Sequence, residues 1–207
     1  VVKLGNSNEP GIVIGGHIDT VLESGKAAYP GADDDGSGSI TVLETARVLL
    51  ASGLHFKHPI YFIWYAAEEE GLVGSTHVVA DFKAKKIPVA AVMQLDMTGY
   101  RYKNKPTMWL MTDNSDPALT NYLETLINTY VKQPVSRSRC GYACSDHASW
   151  YHEGYSASIP FESHMDTYNP DIHSPEDTMD KLSLDHMTNF TKLAIAFSVE
   201  LAEPLQS

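Results

Sequence analysis

Histidine and carboxylate residues recur in short motifs of the 207-residue sequence, and both residue types can bind metal ions or transfer protons. The residues concerned are His17 and Asp19 in GGHIDT, Asp33, Asp34 and Asp35 in PGADDDGSG, Glu68, Glu69 and Glu70 in AAEEEGLVGS, Asp96 in QLDMTG, and His173 in NPDIHSPEDT. A single acid of this kind is most often a turn residue, a helix cap or part of a solvated surface. A shared function requires a fold that brings several of them together.

Apolar runs that alternate with helix-period stretches indicate the elements that position these residues. Strands are predicted at 11–16, 59–67, 89–95 and 107–112, and helices at 40–51, 74–86, 117–131 and 184–202. The strand runs are apolar throughout, as expected of strands that are buried on both faces. The sequence therefore predicts an α/β fold, a three-layer α/β/α sandwich with a mixed, mainly parallel central sheet.

Two local patterns give more specific predictions. VVKL is separated from GIVIGG by the turn sequence GNSNEPG, which predicts an antiparallel hairpin between these two segments. In the helix at 40–51, the apolar residues at 40, 43, 46, 49 and 50 predict the side that faces the core. No internal repeat or Pro-, Gly- or Ser-rich linker divides the sequence, so residues 1–207 are expected to form a single domain.

The predicted strands place the acids at one edge of the sheet, because ligands in open α/β sheets bind beyond the carboxyl ends of the strands. Three strands and one strand-to-helix loop end in His or carboxylate there. So many carboxylates would repel one another and raise their pKa values, and one or two divalent cations would remove that repulsion. Histidine with several carboxylates suits zinc, with manganese or cobalt as alternatives.

The histidines narrow the candidate ligands. His17 ends a predicted strand, and Asp19 lies two residues further on, so both point to the same side and Asp19 can orient the ring of His17. A second histidine is needed, and nine are present in the chain. His173 is the candidate because it lies in an irregular polar segment before the last helix.

Composition excludes some functions and leaves one question open. The net charge is −11 and no Lys/Arg-rich stretch occurs, which argues against nucleic-acid and anionic-membrane partners, and no run is long enough for a transmembrane helix. The two cysteines, Cys140 and Cys144 in CGYAC, are too few for a four-cysteine zinc site. They form either a short-loop disulfide or a reduced pair, and a disulfide would indicate function outside the cytosol.

Six motifs in this order, GGHIDT, PGADDDGSG, AAEEEGLVGS, QLDMTGY, CGYACSDHASW and IHSPEDT, resemble the co-catalytic zinc aminopeptidases of peptidase family M28. The likeness spans nearly the whole chain and is greatest to the secreted bacterial leucyl aminopeptidases of Vibrio and Aeromonas type. It implies a zinc-peptidase-like fold, two zinc ions, peptide substrates with a free N-terminus, a monomer, and a secreted or periplasmic location. Family catalytic domains usually have tens of residues before the first strand, so this chain is expected to lack N-terminal family residues.

The resemblance assigns roles residue by residue. His17 and Asp96 match the ligands of one zinc ion, Glu69 and His173 match those of the other, and Asp34 matches the bridging carboxylate. The family also has a cis peptide bond after the bridging residue, between Asp34 and Asp35 in this numbering. Asp19 and Asp35 match residues that support the ligands.

The remaining matches concern the reaction and its substrate. Glu68 matches the general acid/base, Tyr142 matches a tyrosine that can hydrogen-bond the tetrahedral intermediate, and Cys140 and Cys144 match a disulfide at the rim of the active site. The residues that resemble an apolar specificity pocket are Met97, Met111, Cys140, Cys144, Phe161, Met165, Tyr168 and Ile172. Met165 replaces an expected aromatic residue and Gly99-Tyr100 replaces Asn-x-Tyr, but a bulky apolar, leucine-like residue is still the expected preference.

Other functions remain as alternatives. Glutaminyl cyclases share this pattern but bind one zinc ion, whereas His17 and Asp96 together favour two. A carboxypeptidase relative would need a basic group for the substrate carboxylate, and none of the six motifs contains an Arg or Lys. A non-catalytic receptor or binding module would have no need of Glu68 or of a complete ligand set. A serine hydrolase is disfavoured because G-x-S-x-G does not occur.

Overall fold

The computed structural model describes residues 1–21 and 29–205. Within them the strands are β1 (Val2–Leu4), β2 (Gly11–His17), β3 (Ile60–Tyr65), β4 (Val89–Gln94), β5 (Met108–Met111), β6 (Val135–Ser138), β7 (Ala157–Ser158) and β8 (Pro160–Phe161). The helices are α1 (Gly38–Ala51), α2 (Val73–Ala84), α3 (Pro117–Leu126), α4 (His147–His152) and α5 (Leu184–Ala202). All four predicted helices and all four predicted strands are present, with ends that differ by a few residues.

Five strands form the larger sheet, in the order β1-β3-β2-β4-β7. β2 runs parallel to both β3 and β4, and β7 runs parallel to β4, whereas β1 is antiparallel to β3. The prediction of a mixed, mainly parallel sheet is therefore confirmed.

The predicted hairpin between VVKL and GIVIGG is wrong. β1 pairs with β3, so that Val2 lies opposite Phe62 and Leu4 lies opposite Ile60. Both edges of β2 are occupied by β3 and β4, so the first strand does not pair with β2 and joins the sheet at the outer edge of β3.

A second, three-stranded sheet with the order β6-β5-β8 adds to the expected architecture. The strand predicted at 107–112 is β5, and it belongs to this sheet and not to the larger one. Residues 157–161 connect the two sheets, because Ala157 and Ser158 pair with β4 while Pro160 and Phe161 pair with β5.

Helices cover both faces of the larger sheet, which gives the three predicted layers. Ile12 and Ile14 of β2 belong to a buried cluster that includes residues of α1, α3 and α5. Val13, which points to the opposite face, belongs to a second cluster that includes Val79 and Phe82 of α2. Both faces of the strands are thus buried, as their continuous apolar runs predicted.

The core-facing side of α1 differs from the predicted stripe. Of the five predicted positions, Ala46 and Leu49 are buried, but Ile40, Leu43 and Leu50 are exposed by 54%, 52% and 57%. The other buried positions are Gly38, Thr41, Val42 and Thr45. The buried set keeps helical spacing but is built from small and β-branched residues. Because α1 carries apolar residues on several sides, their spacing alone did not identify the buried one. Neither α1 nor another helix in the described residues is both long and apolar enough to cross a membrane.

Candidate metal centre and active site

The carboxyl ends of three adjacent strands carry the candidate residues to one place. His17 is the last residue of β2, Asp96 lies two residues beyond the end of β4, and Glu68 lies three residues beyond the end of β3. Since β2 lies between β3 and β4 and all three run parallel, these ends meet at the same edge of the sheet. This is the convergence that the sequence predicted.

Asp34 lies between the two candidate histidines. Its Oδ1 is 3.0 Å from His17 Nε2, and its Oδ2 is 2.8 Å from His173 Nε2. His17 Nε2 also lies 3.7 Å from Asp96 Oδ1, and His173 Nε2 lies 3.2 Å from Glu69 Oε2. Each histidine thus faces one oxygen of Asp34 and one further carboxylate.

The close approach of these groups shifts the pKa values of the two histidines and of Asp34. Burial lowers the pKa of His17, but the charge of Asp96 and hydrogen bonds with neighbouring carboxylates outweigh burial and raise it. Hydrogen bonds with Asp34 and Glu69 raise the pKa of His173 to about 10. Burial raises the pKa of Asp34, but hydrogen bonds with the two histidines outweigh it, so that this pKa falls to about 2.

Glu68 differs from these groups. Burial, followed by the negative charge of Asp96, raises the pKa of the Glu68 carboxyl to about 9. A cation placed among these carboxylates would oppose that shift, because positive charge nearby favours the ionised form.

The donor set fits metal ions. One ligand atom from each of His17, Asp34 and Glu69 lies within 4.8 Å of the others, and the same holds for His17, Asp35 and Asp96. Glu69 Oε1 is buried and has no hydrogen-bond partner among the residues that the structure describes, so it lacks the donor or cation that a buried carboxylate oxygen needs. Imidazole nitrogens and carboxylate oxygens without a thiolate suit zinc and related divalent ions.

Asp35 lies close enough to be a ligand, but its oxygens are already occupied. Oδ2 accepts a hydrogen bond from the backbone N–H of His17 at 2.9 Å. Oδ1 accepts from the N–H groups of Gly38 at 2.9 Å and Met97 at 3.1 Å. Asp35 therefore joins the end of β2, the start of α1 and the segment after β4, a supporting position.

Asp19 connects His17 to the acid pair. Its backbone carbonyl lies 3.1 Å from His17 Nδ1, and its carboxylate Oδ1 is 3.6 Å from the same nitrogen. The carboxylate also accepts hydrogen bonds from the N–H groups of Glu68 and Glu69, each at 3.1 Å. Asp19 thereby contacts the ring of His17 through its backbone carbonyl and holds the turn that carries the two glutamates through its carboxylate.

Two further residues hold the candidate ligands, and sequence reasoning did not select either. Asp177 accepts hydrogen bonds from the N–H groups of Asp33 at 3.0 Å and Asp34 at 3.1 Å, and Ser145 donates to Asp96 Oδ2. Asp177 lies in the IHSPEDT motif and Ser145 directly follows CGYAC, so both residues belong to the motifs described above. Their roles depend on contacts between distant segments. The peptide bond between Asp34 and Asp35 is cis, as the resemblance implied.

A cavity of about 560 Å³ opens over the centre. Its lining includes Asp34, Glu68, Glu69, Asp96 and His173 together with Met97, Cys140, Cys144, Phe161, Met165, Tyr168 and Ile172. Seven of the eight predicted pocket residues thus line the cavity. The eighth, Met111, does not: it is fully buried in the cluster beneath the cavity, where it packs with Met97 and Ile159. Ile159 lines the cavity and was not predicted.

The loop at the rim is closed by a disulfide between Cys140 and Cys144, which decides between the two predicted states of the pair. Asp113 holds this loop by accepting hydrogen bonds from the N–H groups of Cys140 and Gly141. Tyr142 lines the cavity with 61% of its side chain exposed. Partial burial and the charge of Glu68 raise the pKa of its hydroxyl.

Fold and site together define a class of α/β proteins in which a histidine–carboxylate metal centre lies beside an apolar pocket at the carboxyl edge of a mixed sheet. The sequence profile of peptidase family M28 matches residues 1–198 of this chain. The chain belongs to peptidase family M28.

Individual relatives agree with this assignment. The chain is 43% identical over 196 residues to a protein of Arthroderma otae named probable leucine aminopeptidase, a match that covers 92% of this chain and 54% of the relative. The Legionella pneumophila LapA aminopeptidase superposes with a TM-score of 0.92 at 56% identity, over 96% of this chain and 53% of that one. BSAP, a zinc aminopeptidase from Bacillus subtilis, superposes with a TM-score of 0.81 at 27% identity, over 99% of this chain and 49% of that one. The chain thus spans about half the length of the relatives that it matches.

Proposed function

We propose that this protein is a metallo-aminopeptidase that removes a bulky apolar, leucine-like residue from the N-terminus of peptides with the help of two zinc ions. The observation that carries the proposal is the position of Asp34, whose two oxygens each face a different histidine. A carboxylate shared in this way suits a pair of ions better than a single one. The relatives named leucine aminopeptidase and zinc aminopeptidase support the same activity.

The ligands divide into two sets. His17 and Asp96 would hold one zinc ion, Glu69 and His173 would hold the other, and Asp34 would bridge them. When bound, zinc would supply Lewis acidity, polarising the scissile carbonyl and lowering the pKa of a water molecule. The orphaned oxygen of Glu69 is the local feature that best fits this assignment.

Glu68 is the proposed general base and acid. It lines the cavity, and the adjacent Glu69 contacts His173, so the two neighbouring side chains serve different partners. Glu68 would accept a proton from the attacking water and return it to the departing amine, a role that typically contributes about 10²–10⁴-fold to the rate. Asp19 positions the backbone of both glutamates.

Tyr142 and the acidic surroundings would act on the substrate itself. The exposed hydroxyl of Tyr142, next to Glu68 in the cavity lining, is placed to donate a hydrogen bond to the oxygen of the tetrahedral intermediate. The free α-amine of the substrate is cationic, and the surrounding carboxylates favour it over a capped N-terminus. The apolar part of the cavity, with Met97, Phe161 and Ile172, suits a leucine-like side chain.

We extend the proposal to the setting in which the enzyme acts. The disulfide between Cys140 and Cys144 fits an oxidising compartment, so a secreted or periplasmic location is proposed. A monomer acting on peptides, without nucleic-acid or membrane partners, remains the expected form.

The test compares leucine anilide with the same anilide after acylation of its amine, using zinc-loaded protein. Cleavage of the free amine alone supports an aminopeptidase. Cyclisation of an N-terminal glutamine without leucine release would support a cyclase instead. A carboxypeptidase is disfavoured because no Lys or Arg lines the cavity in the described part of the chain.

A further inference from the structure

A second cavity, of about 520 Å³, lies between α2 and α4 and meets the active-site cavity. Gly71 and Leu72, which directly follow the acid pair, line both cavities. The remaining lining of the second cavity is Thr76, Val79, Ala80, Lys83, Ser149, His152 and Glu153. We call this second cavity the α2–α4 groove. Its continuity with the catalytic cavity raises the question of what extends from one into the other.

The walls of the α2–α4 groove are held together by contacts between the two helices. Ser75 Oγ and Ser149 Oγ are 2.8 Å apart, and Lys83 forms an ion pair with Glu153. Trp150 and Phe82, which pack edge to face, anchor the two helices to the same buried cluster. The groove is therefore preformed and does not depend on a ligand to create it.

The chemistry of the groove is that of a neutral peptide site. Leu72 and Ala80 supply accessible apolar surface, and Thr76 supplies an exposed hydroxyl group that can bond to a peptide backbone, whereas Val79 is buried and the Ser149 hydroxyl already bonds to Ser75. Its charged residues Lys83 and Glu153 pair with each other.

A peptide bound in the catalytic cavity would extend towards the α2–α4 groove. The apolar residues that would take the first side chain form one cluster, which includes Met97, Phe161 and Ile172, and neither Gly71 nor Leu72 belongs to it. With the first side chain in that cluster and the scissile bond at Glu68, the rest of the peptide leaves on another side. The rim formed by Gly71 and Leu72 opens directly into the α2–α4 groove.

We propose that the α2–α4 groove binds the residues of a peptide substrate that follow the cleaved bond, and that the enzyme therefore prefers oligopeptides to leucine amides or anilides. An extended chain advances about 3.3 Å per residue, so the second to fourth residues extend about 10 Å from the cleaved bond. This inference rests on the proposed aminopeptidase activity and adds the substrate class to it.

The test compares kcat/KM for the peptide Leu-Ala-Ala-Ala with kcat/KM for leucine anilide in zinc-loaded protein. Ala80→Trp fills the groove, whereas Ala84→Trp places the same side chain one helical turn further along α2, at an exposed position outside the groove. We expect the tetrapeptide-to-anilide ratio to fall about tenfold in Ala80→Trp, worth about 1.4 kcal/mol, and to stay at the wild-type value in Ala84→Trp. Circular dichroism checks folding, and Thr76→Tyr serves as a second groove-filling variant.

Several results would overturn the inference. The first is a tetrapeptide-to-anilide ratio of kcat/KM that is equal in both tryptophan variants. The second is a ratio that stays at the wild-type value in Ala80→Trp and Thr76→Tyr. The third is a wild-type enzyme whose kcat/KM is the same for the anilide and the tetrapeptide. Failure of the proposed function is distinguishable from these, because wild-type protein would then release no leucine from either substrate.

Discussion

Replacing Asp19 by alanine tests how the site is held together. The Asp19 carboxylate accepts one hydrogen bond from Glu68 N–H and one from Glu69 N–H, each at 3.1 Å, and the side chain is 23% exposed. A hydrogen bond to a charged group contributes about 1.5–3 kcal/mol, so two give about 3–6 kcal/mol. Water can reach part of the vacated space, and we therefore expect Asp19→Ala to lower the free energy of unfolding by about 2–4 kcal/mol.

The same change should affect activity more than a general loss of stability would. Asp19→Ala keeps the backbone carbonyl that lies 3.1 Å from His17 Nδ1 but removes the carboxylate oxygen that lies 3.6 Å from it, and removing a group that supports a proposed metal ligand typically costs about 10–100-fold in metal affinity or activity. Urea unfolding measures the stability, and kcat on leucine anilide at saturating zinc, well below the unfolding temperature, measures the activity. The control is Glu70→Ala, which removes the exposed acid next to the pair and should change stability by less than about 0.5 kcal/mol.

One result would refute this reasoning directly. If Asp19→Ala matches Glu70→Ala in both the free energy of unfolding and kcat, the position of the acid pair does not depend on these two hydrogen bonds.

Two further predictions concern protons. Burial lowers the pKa of His147 to about 4, whereas the pKa in the unfolded chain is about 6.5. Between these pH values the imidazole is protonated in the unfolded state but neutral in the folded state, so the protein loses stability as pH falls. Urea unfolding should therefore show wild type losing about 3 kcal/mol relative to His147→Leu between pH 7 and pH 4. The pKa values of His17 and His173 are raised, so both carry protons at pH 7 until zinc binds. Calorimetry in two buffers of different ionisation enthalpy should detect release of at least two protons per chain on zinc loading, one from each imidazole, and Glu68 adds to this number because a nearby cation favours its ionised form.

Contrary results are clear for both predictions. Parallel stability curves for wild type and His147→Leu would show that folding leaves the pKa of this histidine unchanged. Zinc binding with no release of protons would show that the two imidazoles are not the ligands.

Much of the fold could be predicted because it depends on local patterns. The strand runs and helical spacing located four strands and four helices, and continuous apolar strands correctly indicated a sheet covered on both faces. The partner of β1 could not be predicted, since pairing with β3 depends on which sheet edge is free once the parallel strands are in place. The buried side of α1 was predicted only in part, at Ala46 and Leu49, because the rest of its contact surface is formed by residues such as Thr41 and Thr45, which an apolar pattern does not select.

The candidate site was also predicted only in part: residues at strand ends could be selected, whereas contacts between distant segments could not. The residues with chemistry of their own, such as His17 and Glu69, stand at strand ends and could be selected from the sequence, with the family resemblance supplying their roles. Asp177 acts through the backbone N–H groups of Asp33 and Asp34. Asp34 and Asp177 are 143 residues apart, and such a contact could not be predicted from a local sequence pattern. Met111 has the apolar character of a pocket residue, but its place at the end of β5 buries it beneath the cavity.

The central claim is that two adjacent glutamates, Glu68 and Glu69, serve different functions around two zinc ions. The most direct measurement is the zinc content of wild type, Glu68→Gln and Glu69→Gln after equilibration with zinc and removal of unbound metal, together with kcat on leucine anilide. The account predicts two zinc ions in wild type, two with little activity in Glu68→Gln, and loss of one in Glu69→Gln. A single zinc ion in wild type, or two fully retained ions in Glu69→Gln, would contradict it.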